Sequence, residues 1–249
     1  MTAPKKSKKQ GRPVVWFVGA GPGDPGLITV KGQELVNTAD VLIYAGSLVN
    51  PVLVERSGAA VRMDSWGMHL DEMVGTMEAS AKAGKKVVRL HSGDPALYGA
   101  IVEQMEQLEA RGVETAVVPG VSSLFAAAAA LKTQLTLKGV SESVIVTRPA
   151  GKTLEADRIA EFSRMDSTLV VFLGTEKLEE ITGKLACPRE TPAAVVYHAS
   201  WPDQKVVRGT VADIAAKARA AGIGHTALLL IGGVVGTEKE GHVASYLYS

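Results

Sequence analysis

Apolar residues recur along the chain in two rhythms. Short β-branched runs closed by Gly or Pro predict strands at Val14 to Gly19, Asp40 to Tyr44, Ala60 to Met63, Lys86 to His91 and Thr115 to Pro119. Between them lie stretches of helical period. Leu70, Met73, Val74, Met77 and Ala81 share one helix face, which predicts an amphipathic helix over His69 to Ala83, ended by Gly84. Leu97, Ile101, Met105 and Leu108 repeat the signal before Gly112. Alternation of this kind predicts a parallel sheet covered by crossover helices.

The alanines of Ser122 to Leu131 suit a closely packed helix, and Lys132 to Gly139, without apolar period, reads as a connection between domains. Beyond it, strands are expected at Val144 to Thr147, Thr168 to Phe172, Ala193 to Tyr197, Lys205 to Val211 and Ala227 to Ile231. Helices are expected at Glu155 to Arg164, Glu176 to Leu185 and Val211 to Ala220. The Ser200-Trp201-Pro202-Asp203 turn is too short for a parallel crossover, so the strands on either side of it should be antiparallel. The expected fold class is α/β with two α/β domains. Residues 13–132 carry a mainly parallel sheet and residues 133–249 a mixed one.

Composition narrows the partners. Residues 1–12 hold five of the 27 basic residues and no acidic one, leaving 22 against 26 acidic residues in the rest of the 249-residue chain. A nucleic-acid protein would be basic across its fold, so that class is excluded and the tail reads as disordered. The single cysteine, Cys187, and five scattered histidines show no metal-ligand spacing, so no metal site is expected. The uncharged stretch Thr115 to Leu131 contains Pro119 and Gly120 and is shorter than the ~20 apolar residues of a membrane helix. No membrane association and a cytoplasmic location are expected.

Three loops carry the candidate chemistry. The first strand runs into Gly19-Ala20-Gly21-Pro22-Gly23-Asp24-Pro25-Gly26. Asp24 stands where a dinucleotide fingerprint needs glycine, and Pro22 and Pro25 remove amide donors, which argues against a phosphate cradle and an NAD or FAD oxidoreductase. Ser92-Gly93-Asp94-Pro95-Ala96-Leu97-Tyr98-Gly99 follows the fourth strand, and Pro119-Gly120-Val121-Ser122-Ser123 the fifth. Asp94 and Ser122 are each read as a helix cap or as a ligand contact, and glycine at 93 and 120 would let a ligand approach the backbone. None of the three loops contains Lys or Arg, so their ligand should carry little negative charge.

The segments VGAGPGDPGLIT (18–29), SGDPALYG (92–99), VPGVSS (118–123) and Thr226-Ala227-Leu228-Leu229-Leu230-Ile231-Gly232 together resemble the S-adenosylmethionine-dependent tetrapyrrole methyltransferases, over residues 14 to 236. Tyr44 to Pro51, Gly67 to Glu72 and Thr147 to Thr153 resemble the subgroup acting on carbon 11 of precorrin-4 in cobalamin synthesis, with Lys152 where the usual pattern has Arg. The resemblance implies the tetrapyrrole methylase fold with the active site in the cleft between domains, and S-adenosylmethionine as cofactor. It places that cofactor against Pro22, Gly93, Asp94, Pro95, Tyr98, Ser122, Ser123, Leu173, Ala199, Thr226 and Ala227. It implies a tetrapyrrole substrate near Arg148, Lys152, Asp24 and His69, and a homodimer. The catalytic acid or base is left unassigned, as is the choice between metal-free and cobalt-containing substrate. A non-catalytic tetrapyrrole-binding protein on the same fold is the other alternative. His69, His198, His225, Trp66 and Trp201 are each read as packing residues or as ligand contacts.

Overall fold

The computed structural model describes residues 12–152, 154–236 and 241–244. The basic tail lies outside the described residues except for Arg12, which pairs with Glu114 at 3.3 Å. Two compact units meet between Ser122 and Ser123.

The first unit holds β1 (Val14–Gly19), α1 (Val30–Asn37), β2 (Val41–Tyr44), α2 (Pro51–Glu55), β3 (Val61–Asp64), α3 (Leu70–Lys82), β4 (Val87–His91), α4 (Val102–Ala110) and β5 (Glu114–Val118). Its strands form an all-parallel sheet in the order β3-β2-β4-β1-β5. Alternate residues of β1 and β4 feed two cores. Val15, Phe17 and Val87 pack against Met73, Val74 and Met77 of α3 on one face, while Val18, Val88 and Leu90 pack against Val36 and Leu53 on the other. Burial of each such side chain contributes roughly 1.5–3 kcal/mol. The helices α1 and α2 escape the periodic pattern because they are eight and five residues long. Their ends are set by caps: Thr29 Oγ1 accepts from Gly32 N at 3.1 Å, and Asn50 Oδ1 from Val52 N at 3.0 Å, with Pro51 at the first helical position.

The second unit holds α5 (Ser123–Ala130), β6 (Val144–Thr147), α6 (Ile159–Phe162), β7 (Thr168–Val171), α7 (Leu178–Lys184), β8 (Pro192–Tyr197), β9 (Lys205–Thr210), α8 (Ile214–Ala220) and β10 (Ala227–Ile231). The sheet order is β6-β7-β10-β8-β9. β6 and β7 are parallel, the other pairings antiparallel, and β8 and β9 pair as their short turn requires.

Three expectations are corrected here. The boundary falls ten residues earlier than residue 132, because α5 buries Leu124, Ala127 and Ala128 in the same core as Val170, Ala194 and Leu230. The segment 132–139 is a folded part of the second unit rather than a connection. Leu135 and Leu137 are buried in that core, and Thr168 Oγ1 donates to the Leu135 carbonyl at 2.7 Å. The helix expected from Leu97 starts only at Val102, because Tyr98 and Ala100 have φ of 56° and 48°, which no right-handed helix accommodates. Among the described residues no helix is long and apolar enough to cross a membrane.

Candidate cofactor and substrate sites

The parallel topology brings the ends of β4, β1 and β5 side by side, so the three glycine loops leave one edge of the first sheet together. They are bonded to one another. Ala20 N donates to the His91 carbonyl at 2.7 Å, and Gly21 and Gly93 exchange backbone hydrogen bonds at 3.3 and 2.8 Å. Asp94 Oδ1 accepts from Ala96 N at 2.8 Å and Oδ2 from Gly120 N at 2.9 Å. The carboxylate therefore tightens its own turn and fastens the second loop to the third, and it caps no helix. Asn50 Nδ2 donates to the Gly23 carbonyl at 2.8 Å, holding the first loop from the side of α2.

The glycines serve this packing. A Cβ on Gly120 would collide with the Gly93 carbonyl oxygen and lie 2.8 Å from Gly19 Cα, and one on Gly19 would lie 2.7 Å from the same oxygen. The expectation that Gly120 leaves room for a ligand is thus corrected. Its missing side chain makes room for neighbouring backbone. Within the loops Pro22 and Pro95 are buried, Ser122 is buried, and Tyr98 stands exposed with its backbone left-handed.

In the second unit the remaining residues gather at one edge of the mixed sheet. Leu173 and Thr175 follow β7, His198 to Ser200 follow β8, and Thr226 leads into the antiparallel β10. Thr175 Oγ1 donates to the Ala227 carbonyl and accepts from its amide, each at 3.0 Å, which locks the start of β10 to the end of β7. His198 Nδ1 lies 3.0 Å from both Asp203 carboxylate oxygens, and its ring stacks on Tyr197 at 3.9 Å and tilts against Trp201 at 5.4 Å. The hydrogen bond from His198 holds the Asp203 carboxyl below its ordinary range. His225 Nδ1 lies 2.9 Å from Thr226 Oγ1.

Backbone strain marks both groups. The described non-glycine residues with left-handed φ are Tyr98, Ala100, Lys132, Leu173, His198, Ser200 and Thr226. Three are expected cofactor residues, and two more flank a fourth, the buried Ala199. Each such residue costs of order 1–3 kcal/mol and persists only where its surroundings enforce it, so strain clustered on loops is a signature of ligand sites. Leu173 is 66% exposed, an apolar side chain held out on a strained backbone. The residues fit S-adenosylmethionine, which has no phosphate and carries a cationic sulfonium, because none of the three glycine loops supplies a cation.

The expected substrate residues occupy separate places. Arg148 and Lys152 lie on the loop after β6. Asp24 Oδ1 accepts from Gly26 N at 2.8 Å, shaping the first glycine loop. His69 is exposed at the start of α3, where its carbonyl accepts from Met73 N at 3.1 Å, and Trp66 nearby is 84% exposed. The pattern assigned no role to Asn50, although it lies in the Tyr44 to Pro51 segment, or to Thr175, whose only signal is a Thr just after a strand. It also missed the burial of His91, which lies against Phe17 with its Nε2 bonded to no described residue. Burial, then the charge of the equally buried Arg89, pushes His91 down to about 3.

Comparison with known proteins identifies the relatives of this chain. The profile of the tetrapyrrole (corrin/porphyrin) methylases matches residues 14–215. A cobalt-precorrin-4 C(11)-methyltransferase of Methanocaldococcus jannaschii is 48% identical over 227 residues, spanning 89% of this chain and 88% of that protein. A precorrin-4 C(11)-methyltransferase of Pseudomonas aeruginosa is 42% identical over 238 residues, 94% of each chain. Among solved structures, a cobalt precorrin-4 methyltransferase described as a cobalamin biosynthetic enzyme is similar with a TM-score of 0.89 at 41% identity, covering 93% of this chain and all of that one. A uroporphyrin-III C-methyltransferase of Thermus thermophilus, complexed with S-adenosylhomocysteine, is similar at a TM-score of 0.77 and 30% identity, covering 90% of this chain and 99% of that one.

Proposed function

The chain belongs to the tetrapyrrole (corrin/porphyrin) methylases, and we propose that it transfers the methyl group of S-adenosylmethionine to carbon 11 of precorrin-4 or its cobalt complex, in cobalamin synthesis. The observation that carries the cofactor assignment is the left-handed backbone at Tyr98, Leu173 and Thr226, three positions the family resemblance gives to the cofactor. When bound, the cofactor supplies an electrophilic methyl group on sulfur.

The chain's own residues supply shape. The interlocked loops around Gly21, Gly93 and Gly120 present a fixed backbone surface free of cations. Asp94 has both carboxylate oxygens engaged in holding that surface. Thr175 fixes the start of β10, and so the exposed Thr226 beside it. Carbon 11 ends quaternary, so the proton that balances the charge leaves from elsewhere on the macrocycle, and no base is required at the reacting atom. Most of the acceleration then comes from holding the reactants in line, an effect worth up to roughly 7–11 kcal/mol. Arg148 and Lys152 give the acidic side arms of the tetrapyrrole a cationic partner that the glycine loops lack. A homodimer belongs to the same proposal and is measured by sedimentation.

The test is the position of a carbon-13 methyl label after incubation of precorrin-4, and separately its cobalt complex, with labelled S-adenosylmethionine. Label at carbon 11 is expected. Label at another ring carbon would move the protein to a different step, and binding of both ligands without turnover would make it a carrier.

A further inference from the structure

The loop that follows β6 is held by Asp157, further along the same connection, and by two lysines from the following helical segment. Ala150 N donates to Asp157 Oδ2 at 2.7 Å, and the Ala150 carbonyl accepts from Lys177 Nζ, also at 2.7 Å. Both backbone groups of one residue are thus engaged by charged side chains. The same Asp157 oxygen pairs with Lys184 Nζ at 2.7 Å, while Oδ1 accepts from Ile159 N at 3.1 Å and starts α6. The Asp157 side chain is only 6% exposed. Its burial works to raise the carboxyl pKa but is outweighed by the bonds from Lys184, Ala150 and Ile159, so the group sits below its ordinary range. On one side of Ala150, Pro149 is buried. On the other, Gly151 and Leu154 exchange backbone bonds at 2.8 and 3.1 Å and close a tip that carries the exposed Lys152.

We infer that Asp157, with Lys184 and Lys177, is a positioning device that holds the Arg148–Lys152 loop in register for an acidic tetrapyrrole. The inference rests on the substrate reading above. A loop that merely joined a strand to a four-residue helix would gain little from a partly buried ion pair. The desolvation of such a pair offsets most of its attraction, and its best attested use is to fix register. Here the pair fixes the midpoint of the segment bearing two cations, and a cationic side chain placed to meet a carboxylate loses its value when it is displaced by an ångström.

Charge and position make opposite forecasts for Asp157→Asn. The substitution removes a negative charge near Arg148 and Lys152, so the local field alone would tighten binding of a polyanion. Loss of positioning weakens it instead. The expected result is a tetrapyrrole KM raised roughly tenfold with S-adenosylhomocysteine affinity unchanged, and little further rise when Arg148→Ala is added, because the two act on one contact. A lowered or unchanged KM in the folded variant, with Arg148→Ala still raising it, overturns the positioning role alone. No effect of Arg148→Ala overturns the substrate reading and this inference with it. Should Asp157→Asn not fold, Lys177→Met decides through its coupling to Arg148→Ala: a field effect adds, and a positional one does not.

Discussion

The Asp94 carboxylate reaches across to the backbone of Gly120, accepting its amide proton at 2.9 Å, and so binds the loop after β4 to the loop after β5. A hydrogen bond to a charged group contributes about 1.5–3 kcal/mol. Asp94→Ala is therefore expected to lower the melting temperature by roughly 3–12 °C, since 1 kcal/mol moves a domain of this size by about 2–4 °C. It should also weaken S-adenosylhomocysteine binding. Calorimetry and thermal unfolding on the same preparation measure both, and undiminished affinity would remove the loop cluster from the cofactor site.

Gly120→Val should cost the fold and not only the ligand. The added Cβ meets the backbone of Gly93 and Gly19, which has no rotamer to move. Loss of far-ultraviolet circular dichroism or of soluble protein is expected. A folded Gly120→Val protein with weak affinity would restore the view that a ligand occupies that space.

At Leu173 stability and function should part. Its φ of 55° costs an L-residue roughly 1–2 kcal/mol that glycine does not incur, and its exposed side chain buries little. Leu173→Gly should leave the melting temperature equal or higher while S-adenosylhomocysteine binds more weakly. A clear fall in melting temperature would show that the leucine serves packing.

His91 should make the protein acid-sensitive. Its folded pKa of about 3 lies below the ordinary 6.5, so between these values the unfolded chain takes up a proton that the folded chain refuses. Stability from this group is complete above pH 6.5 and declines as the pH falls toward 3, by at most ~1.4 kcal/mol per unit. Urea midpoints between pH 4.5 and 6.5 should fall more steeply with acidification in the wild type than in His91→Phe. Equal slopes would rule out His91 as the source.

The strands were legible because their signal is local. Val14–Gly19, Val144–Thr147 and Ala227–Ile231 stand where apolar runs meet glycine or a turn, and the antiparallel β8 and β9 follow from a connection too short to cross over. The three glycine loops were legible for the same reason, since each follows a strand directly. Two errors arose where a distant partner decides. The period from Leu97 onward is helical in sequence, yet Tyr98 and Ala100 are turned left-handed within the loop cluster, and the aperiodic segment 132–139 folds because Leu135 and Leu137 find a core built by α5 and the second sheet.

The sequence by itself determined the two rhythms, the absence of basic residues from the glycine loops and the family to which the chain belongs. Those depend on the order of residues and on chemistry carried by single side chains. Only the tertiary structure decided that Gly120 answers to Gly93 and Gly19, that Asp94 holds a neighbouring loop, that His91 is buried beside Arg89, and that Asp157 grips Ala150 with Lys177 opposite. Asp94 and Gly120 lie 26 positions apart in the chain and Lys177 and Ala150 lie 27 apart, and pairing across a fold is set by steric exclusion and by the need of buried polar groups for partners, which local spacing does not encode.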